Sequence, residues 1–246
     1  MTSQQPPLWR RAVAELLGTS LLVMIVVGSG IAAQQLSPND VGLQLLQNST
    51  ATVLGLTVLI LVLGPVSGAH FNPVVSLVDW VLGRRRGTGL TVPELGTYVI
   101  AQTVGAISGS VIANAMFEVG TSISVKERAT TGHLLGEVVA TAGLVLLIFA
   151  LAATKRGFLA APAVGAYIGA AYWFTSSTSF ANPAVTVGRV FSDTFAGIAP
   201  ASVPGFVIAQ LIGAAVGLGL LLVLFPSADR AADDVVVPHG SESTSS

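Results

Sequence analysis

Residues 179–189 read SFANPAVTVGR, and the Asn-Pro pair inside this stretch decides the fold. Asparagine is a preferred cap at the start of a helix and proline a preferred first helical residue, so Asn182-Pro183 predicts that a helix begins here. An earlier stretch, residues 67–73, reads SGAHFNP and contains a second pair, Asn72-Pro73. Both pairs lie among apolar residues. The sequence therefore predicts two helices that begin inside a membrane.

The composition places most of the chain in the membrane. Of its 246 residues, 52% are hydrophobic and 9% are charged, whereas about 25% of the residues of a soluble domain are charged. Apolar stretches of suitable length predict six membrane-spanning helices. The predicted spans are residues 12–33, 49–64, 95–117, 133–154, 158–174 and 203–225. We therefore expect an all-α integral membrane protein.

The charged residues predict the orientation in the membrane. With the amino terminus in the cytoplasm, eight of the 11 Lys and Arg residues fall on the cytoplasmic side, which favours a cell-membrane location with both termini cytoplasmic. The polar residues 226–246 are expected to form a disordered cytoplasmic tail. The absence of cysteine excludes disulfides and thiolate metal sites, and we expect no cofactor, no metal and no nucleic-acid partner.

An internal repeat divides the chain in two. Residues 99–109 read VIAQTVGAISG and residues 207–217 read VIAQLIGAAVG, and the Asn-Pro pairs and the acidic residues Glu15 and Glu137 recur in the same order. We place repeat one at about 9–117 and repeat two at about 133–225. Each repeat has three spans, so the second must enter the membrane from the opposite side. Inverted repeats of this kind are typical of transport proteins, with the functional site where the repeats meet.

The segments after the Asn-Pro pairs predict two half-helices that meet end to end. Ten helical residues cover about half of a 30 Å hydrocarbon core. Two amino ends that meet at the midplane repel cations through their dipoles, while the Asn72 and Asn182 amides can donate hydrogen bonds to neutral solutes. Irregular backbone at that depth must be buried in protein or line a wet cavity, and we expect these loops to line a pore. The pore carbonyls predicted from these loops belong to Gly68, Ala69, His70, Thr178 and Phe180.

These features resemble the aquaporin, or major intrinsic protein, family. The resemblance is carried by SGAHFNP, NPA, the duplicated three-span halves and the paired glutamates, and it covers about residues 9–225. It implies a single channel domain at 1–225 with six transmembrane helices and two re-entrant half-helices, a homotetramer in the lipid bilayer, and passive permeation of small neutral solutes without enzyme activity. The implied pore motifs are Asn72, Pro73 and Val74, where the family usually has alanine, and Asn182, Pro183 and Ala184.

The resemblance also implies a selectivity filter, carried over by spacing to Thr52, Ala170, Ser179 and Val185. Water-selective relatives have an aromatic residue, a histidine, a small residue and an arginine there, and Val185 stands at the arginine position. Because none of the four is large or charged, we expect a wide filter without arginine, in a divergent bacterial member similar to aquaglyceroporins. Glycerol and trivalent metalloid hydroxides such as arsenite are the expected solutes. A water-selective channel, an ion-coupled transporter and a structural membrane protein are the alternatives.

Three charged residues have two interpretations each. An acidic residue within a span, such as Glu15 or Glu137, indicates a proton relay, whereas the resemblance implies that both support the re-entrant loops, which we favour. Arg189 lies four residues beyond Val185 on the same helical face. It either reaches back toward the filter or, as we favour, lies in the outer vestibule and pairs with Asp193.

Overall fold

The structure, a computed structural model, describes residues 5–84 and 88–226. Within these residues six helices are long and apolar enough to cross a membrane, two shorter helices begin at the Asn-Pro pairs, and no strand occurs. The all-α membrane architecture is thus confirmed. Apart from Pro226, the tail predicted at 226–246 lies outside the described residues, as do Arg85, Arg86 and Arg230 of the charge count.

Each repeat contributes four helices in the same order. In the first repeat they are α1 (Leu8–Leu36), α2 (Val41–Ser67), α3 (Pro73–Gly83) and α4 (Val92–Met116). In the second they are α5 (Thr131–Ala153), α6 (Ala160–Phe174), α7 (Pro183–Gly188) and α8 (Val203–Leu224). Short 3-10 turns occupy Gly157–Leu159, Arg189–Phe191 and Pro200–Ser202. The two half-helices are α3 and α7.

The largest difference from the predicted spans is at the start of α2. The helix begins at Val41, eight residues before the predicted position 49, and Asp40 caps it by accepting a hydrogen bond from the backbone N–H of Leu43 at 2.9 Å. The first turns carry polar side chains that lowered the apparent hydropathy. One of them, Asn48, is buried and donates to the carbonyl oxygen of Val26 on α1 at 2.8 Å. The predicted start of α2 was therefore too late, because polar residues that contact α1 lowered the hydropathy of its first turns.

The two repeats pack in the same way. Helix α1 lies mainly against α4, and α5 lies mainly against α8. A β-carbon at Gly105 or Gly109 would overlap carbonyl groups of α1, and one at Gly213 or Gly217 would overlap carbonyl groups of α5. The repeated glycines therefore let the helix backbones touch, which is the packing role expected of small residues in membrane helices.

The half-helices lie where the two repeats meet. Helix α3 contacts α4, α7 and α8, and α7 contacts α1, α4 and α8. Helix α7 has only six residues before it tightens into the 3-10 turn Arg189–Phe191. The carbonyl oxygen of Val190 in this turn accepts a hydrogen bond from the backbone N–H of Ser124 at 2.8 Å, outside the helix. The second re-entrant segment is thus shorter and less regular than the first.

Candidate functional site

Each Asn-Pro asparagine caps its own half-helix. The Oδ1 atom of Asn72 accepts a hydrogen bond from the backbone N–H of Val74 at 3.1 Å. The Oδ1 atom of Asn182 accepts from the backbone N–H groups of Ala184 and Val185 at 3.0 and 3.2 Å. Both asparagines are extended, and a proline occupies the first turn of each helix. These are the features of a helix start that the sequence pattern predicts.

The same two side chains join the half-helices to each other. The Nδ2 atom of Asn72 donates to the carbonyl oxygen of Ala181 at 2.8 Å, and that of Asn182 donates to the carbonyl oxygen of Phe71 at 2.7 Å. The positive ends of the two helix dipoles therefore meet at one place. Each amide group has two hydrogens, so this reciprocal contact uses one of them and leaves a second at each asparagine.

The loops that lead into the half-helices have an unusual backbone. Ala69 and Phe71 before α3, and Ser179 and Ala181 before α7, all have φ between 48° and 50°. These residues stand three positions and one position before each asparagine. A left-handed conformation of a non-glycine residue costs about 1–3 kcal/mol and persists only where surrounding contacts impose it. The two loops thus share one strained conformation.

Two buried glutamates make those surrounding contacts. Glu15 accepts hydrogen bonds from the backbone N–H groups of His70 and Phe71 at 3.0 and 2.7 Å and from the hydroxyl of Ser67 at 2.7 Å. In the second repeat, Glu137 accepts from the backbone N–H groups of Phe180 and Ala181, both at 2.8 Å. Both carboxylates are fully buried. Backbone donors of the strained loops therefore find partners inside the protein, as buried polar groups must.

A glutamine completes each of these networks. The Nε2 atom of Gln102 donates to Glu15 at 2.7 Å and to Ser76 of α3 at 3.0 Å. The Nε2 atom of Gln210 donates to Glu137 at 2.6 Å and to the hydroxyl of Thr186 in α7 at 2.9 Å. Neither glutamine was predicted to take part in the site. Their repetition in VIAQTVG and VIAQLIG was the signal that could have identified them.

A narrow cavity runs along the meeting point of the loops and the spanning helices. It holds about 60 Å³ of space for the centres of water-sized spheres, and one water needs about 10–15 Å³ on that scale, so several waters fit. Its polar lining residues are Thr52, His70, Tyr172, Ser179, Asn182 and Arg189. Most of the remaining wall is apolar and comes from Leu22, Val26, Leu56, Ile60, Leu144, Ile148, Val164 and Ile168.

Three of the four predicted filter residues border this cavity, and the fourth does not. Thr52, Ser179 and Val185 lie in the wall, whereas Ala170 is exposed on the outer surface of α6. Tyr172 lies in the wall instead, and its hydroxyl is 3.2 Å from Oγ1 of Thr52. Two helical positions correspond to a rotation of about 200°, so Ala170 and Tyr172 face opposite ways. Counting back through the irregular residues 175–181 produced this error.

Of the five residues predicted to supply pore carbonyls, three border the cavity and two do not. Ala69, His70 and Phe180 border the cavity, whereas Gly68 and Thr178 do not. Gly68 instead ends α2 in a left-handed conformation, with φ of 84°. The ring of His70 is also held, with its Nδ1 atom 3.0 Å from Oγ of Ser76.

Arg189 lies in the cavity wall, and the favoured pairing with Asp193 is not formed. Its side chain is 3% exposed, its Nε atom donates to the carbonyl oxygen of Ala196, and its guanidinium carbon lies 3.5 Å from the centroid of the Phe180 ring. Asp193 instead accepts hydrogen bonds from the hydroxyl of Ser124 and from the backbone N–H of Val125. Of the two interpretations, the structure agrees with the one in which Arg189 reaches back toward the filter.

Two further cations from the segment before α5 lie close enough to Arg189 to interact with it electrostatically, and neither was predicted to take part in the pore. Arg128 donates from Nε to the carbonyl oxygen of Gly197 at 2.7 Å, and its guanidinium carbon is 5.3 Å from the Phe180 ring centroid. Lys126 donates from Nζ to the carbonyl oxygen of Phe195 at 3.0 Å. Burial lowers the pKa of Arg128 to about 10, so it stays charged at neutral pH. No sequence motif marks this long-range contact.

The described residues contain no group of three or more His, Cys, Asp or Glu residues that could hold a metal ion. A solute in the cavity meets hydroxyl, amide and guanidinium groups that can form hydrogen bonds, and hydrocarbon side chains.

Comparison with known proteins agrees with this geometry. Residues 2–180 match the family profile described as Major intrinsic protein. The chain is 51% identical over 220 residues to Aquaglyceroporin AqpS of Rhizobium meliloti (strain 1021), covering 89% of this chain and 91% of that protein. It is 32% identical over 256 residues to Aquaporin-2 of Rattus norvegicus, covering 95% and 85%. The fold matches an aquaglyceroporin structure from Plasmodium falciparum with a TM-score of 0.65 at 20% identity, covering 92% of this chain and 100% of that one.

Proposed function

Because the chain belongs to the major intrinsic protein family, it is a membrane channel for small neutral solutes and not an enzyme, and we propose that it conducts glycerol and trivalent metalloid hydroxides such as arsenite as well as water. The observation that carries this proposal is Val185. It borders the cavity beside Ser179, at the position where water-selective relatives have an arginine. Valine is shorter than arginine and supplies no side-chain donor, so it leaves more width there.

The lining of the cavity supports this choice of solutes. Polyols and arsenite present several hydroxyl groups and remain uncharged, and they need hydrogen-bond partners along their path. The polar residues Thr52, Ser179 and Asn182 offer such partners against a largely hydrocarbon wall. A relative that is 51% identical carries the name aquaglyceroporin, which also favours glycerol.

A water-selective channel is the second candidate, and Tyr172 favours it. Its ring is 3% exposed and borders the cavity, so the filter contains a large aromatic side chain that the predicted set lacked. Its hydroxyl lies 3.2 Å from Thr52 on α2, which fixes the ring across the cavity. If this ring limits the width, water passes and glycerol does not.

Stopped-flow light scattering of proteoliposomes separates the two candidates. We expect the wild-type protein to conduct water, glycerol and arsenite, and Val185→Arg to lose at least about tenfold of its glycerol and arsenite permeability while it keeps water permeability. Val185→Leu is the matched control, since it adds volume without charge and should lose less. A wild-type protein that passes water alone would establish the water-selective channel. Unchanged glycerol permeability in Val185→Arg would contradict the role given to Val185.

We also propose roles for the other residues and the assembly. Asn72 and Asn182 act as solute donors, and Glu15 and Glu137 act as loop supports through the contacts described above. The distribution of eight of 11 Lys and Arg residues on one side supports a channel domain at 1–225 in the cell membrane with cytoplasmic termini. The family resemblance supports a homotetramer, which mass measurement of the detergent-solubilised protein would test.

A further inference from the structure

We infer that Arg189 is a specificity-determining residue of this channel, and that its guanidinium excludes cations and protons from a pore whose usual arginine position is occupied by Val185. The inference rests on the channel function of the family and does not depend on which neutral solute permeates. It concerns a side chain seven residues beyond Asn182, in the turn that follows the second half-helix.

The hydrogen bonding of Arg189 leaves most of its donors available to the cavity. The side chain is 3% exposed and borders the cavity together with Val185 and Tyr172. Arginine has five N–H donors. Among the residues that the structure describes, only its Nε atom makes a hydrogen bond, to Ala196. The two terminal nitrogens have none, and water or a solute in the cavity is the remaining partner for them.

The charge of Arg189 is also without a carboxylate partner. The one ion pair found among residues 5–84 and 88–226 joins Arg11 and Glu94, at another place in the fold. Charged residues buried without a partner are costly, and the ring of Phe180, 3.5 Å from the guanidinium carbon, offers only a cation–π contact in compensation. The fully buried Glu137 interacts electrostatically with Arg189 but forms no ion pair with it. A buried positive charge in a pore wall repels cations, because little solvent screens it.

Neighbouring cations strengthen this field. Arg128 contacts the same Phe180 ring, and Lys126 lies on the same carbonyl segment through Phe195. Asp193 is the nearby acidic residue on that segment, and it accepts hydrogen bonds from Ser124 and Val125. Three positive charges therefore lie near one another with two carboxylates, those of Asp193 and Glu137, and the sum of these five charges is positive.

The position of Arg189 separates two tasks that a single arginine performs elsewhere in the family. Residues 185 and 189 lie one helical turn apart on the same face. With valine at 185, the side chain next to the NPA motif is short and uncharged, whereas the charge lies one turn further on at 189, in the wall of the same cavity. The arrangement predicts a pore that is wide for neutral solutes and closed to cations.

Ion leak across proteoliposomes made with the full-length protein tests this inference. Potassium efflux and proton entry, the latter reported by an entrapped pH dye, are measured beside water permeability in the same vesicles. We expect the wild-type protein to leak no more than protein-free vesicles. Arg189→Leu should raise the cation leak at least tenfold with water permeability retained, and Arg189→Lys, which keeps the charge, should restore most of the barrier. Arg10→Leu removes an exposed charge outside the cavity and should change nothing.

Each outcome decides the inference. A wild-type protein that conducts potassium would overturn it, as would Arg189→Leu with normal water permeability and no added leak. If Arg189→Leu does not fold, Arg189→Gln, which also removes the charge, replaces it and should show the same leak. If Arg189→Lys leaks as much as Arg189→Leu, the charge is not the barrier and the inference fails. Absence of glycerol and arsenite flux in wild type would refute the proposed solutes and leave these ion measurements unaffected.

Discussion

Replacing Glu15 with alanine tests whether the buried glutamates support the loops or relay protons. Glu15 accepts hydrogen bonds from the backbone N–H groups of His70 and Phe71, from Ser67 and from Gln102. The Ser67 hydroxyl can rotate toward another acceptor. Gln102 keeps its hydrogen bond to Ser76, whereas the two backbone donors would remain buried without partners in Glu15→Ala. At about 1–3 kcal/mol for each unpaired buried donor, the expected loss is about 2–6 kcal/mol.

This loss is large relative to the whole stability of a protein, which is about 5–15 kcal/mol. For a chain of this size 1 kcal/mol shifts the melting temperature by about 2–4 °C, so Glu15→Ala should lower it by at least about 4 °C. Glu15→Gln keeps one acceptor oxygen and should fall between alanine and wild type. Glu127→Ala, at an exposed position, is the control and should stay within about 2 °C.

The assay combines thermal unfolding in detergent, followed by tryptophan fluorescence, with water and proton permeability of the folded fraction. The support role predicts that Glu15→Gln loses stability but keeps water permeability per folded molecule. A relay role predicts the reverse, with little loss of stability and the disappearance of a proton flux. A melting temperature of Glu15→Ala equal to that of wild type would refute the support role.

Two further predictions concern packing and charge. Gly109→Ala should destabilise the protein by about 1–3 kcal/mol, because the new methyl group meets the Ser20 carbonyl. Gly219→Ala is the control, since its methyl group meets nothing within 4 Å, and it should be neutral or slightly stabilising. The melting temperatures of both variants check this, and equal shifts would contradict it. Partial burial and then the charge of Arg128 lower the pKa of Lys126 to about 8, so the folded state binds this proton less tightly than the unfolded chain does. Protonation of Lys126 therefore costs folding free energy. The cost is complete below about pH 8 and disappears as the pH rises to about 10.5. Lys126→Met removes this cost, so the stability of the variant relative to wild type should be higher at pH 6.5 than at pH 9.5.

The fold could be predicted from the sequence because its signals are local or repeated. Asn72-Pro73 and Asn182-Pro183 each specify a helix start by the chemistry of two adjacent residues. The spans follow from hydropathy, and the repeat of VIAQ and of the glutamates fixes the relation between the halves. None of these inferences needs the path of an irregular loop. The observed helices agree with them, except that α2 begins eight residues earlier than predicted and α7 has six residues where about ten were expected.

The filter could be predicted only in part because it depends on such a path. Ser179 and Val185 are three residues from Asn182, so the motif itself fixes them. Ala170 was reached by counting through residues 175–181, in which Thr178, Ser179 and Ala181 have φ between 48° and 62°. Those turns change the number of residues needed to return to α6. Tyr172, which borders the cavity, is two positions later, and only the path of the folded loop brings it there.

The contributions of Arg128 and Arg189 have a different origin. Arg128 reaches the Gly197 carbonyl from 69 residues away, and no short motif describes such a contact. Arg189 was recognised from its spacing, but its two interpretations differ by the direction of one long side chain. The direction of the Arg189 side chain is set by its contacts with the Phe180 ring and the carbonyl of Ala196. Phe180 precedes Arg189 in the sequence and Ala196 follows it.

The two repeats are alike in their scaffold and differ in their charge. The capping asparagines, the glutamates and the glutamines make matching hydrogen bonds in both halves. Seven residues beyond each asparagine, however, the first half has Asp79 and the second has Arg189. Asp79 accepts a hydrogen bond from the backbone N–H of Leu90 at 2.8 Å, whereas Arg189 borders the cavity. Equivalent positions thus carry opposite charges, and only the positive one faces the solute. Duplication accounts for a symmetric pore, and its selectivity arises where the two copies differ.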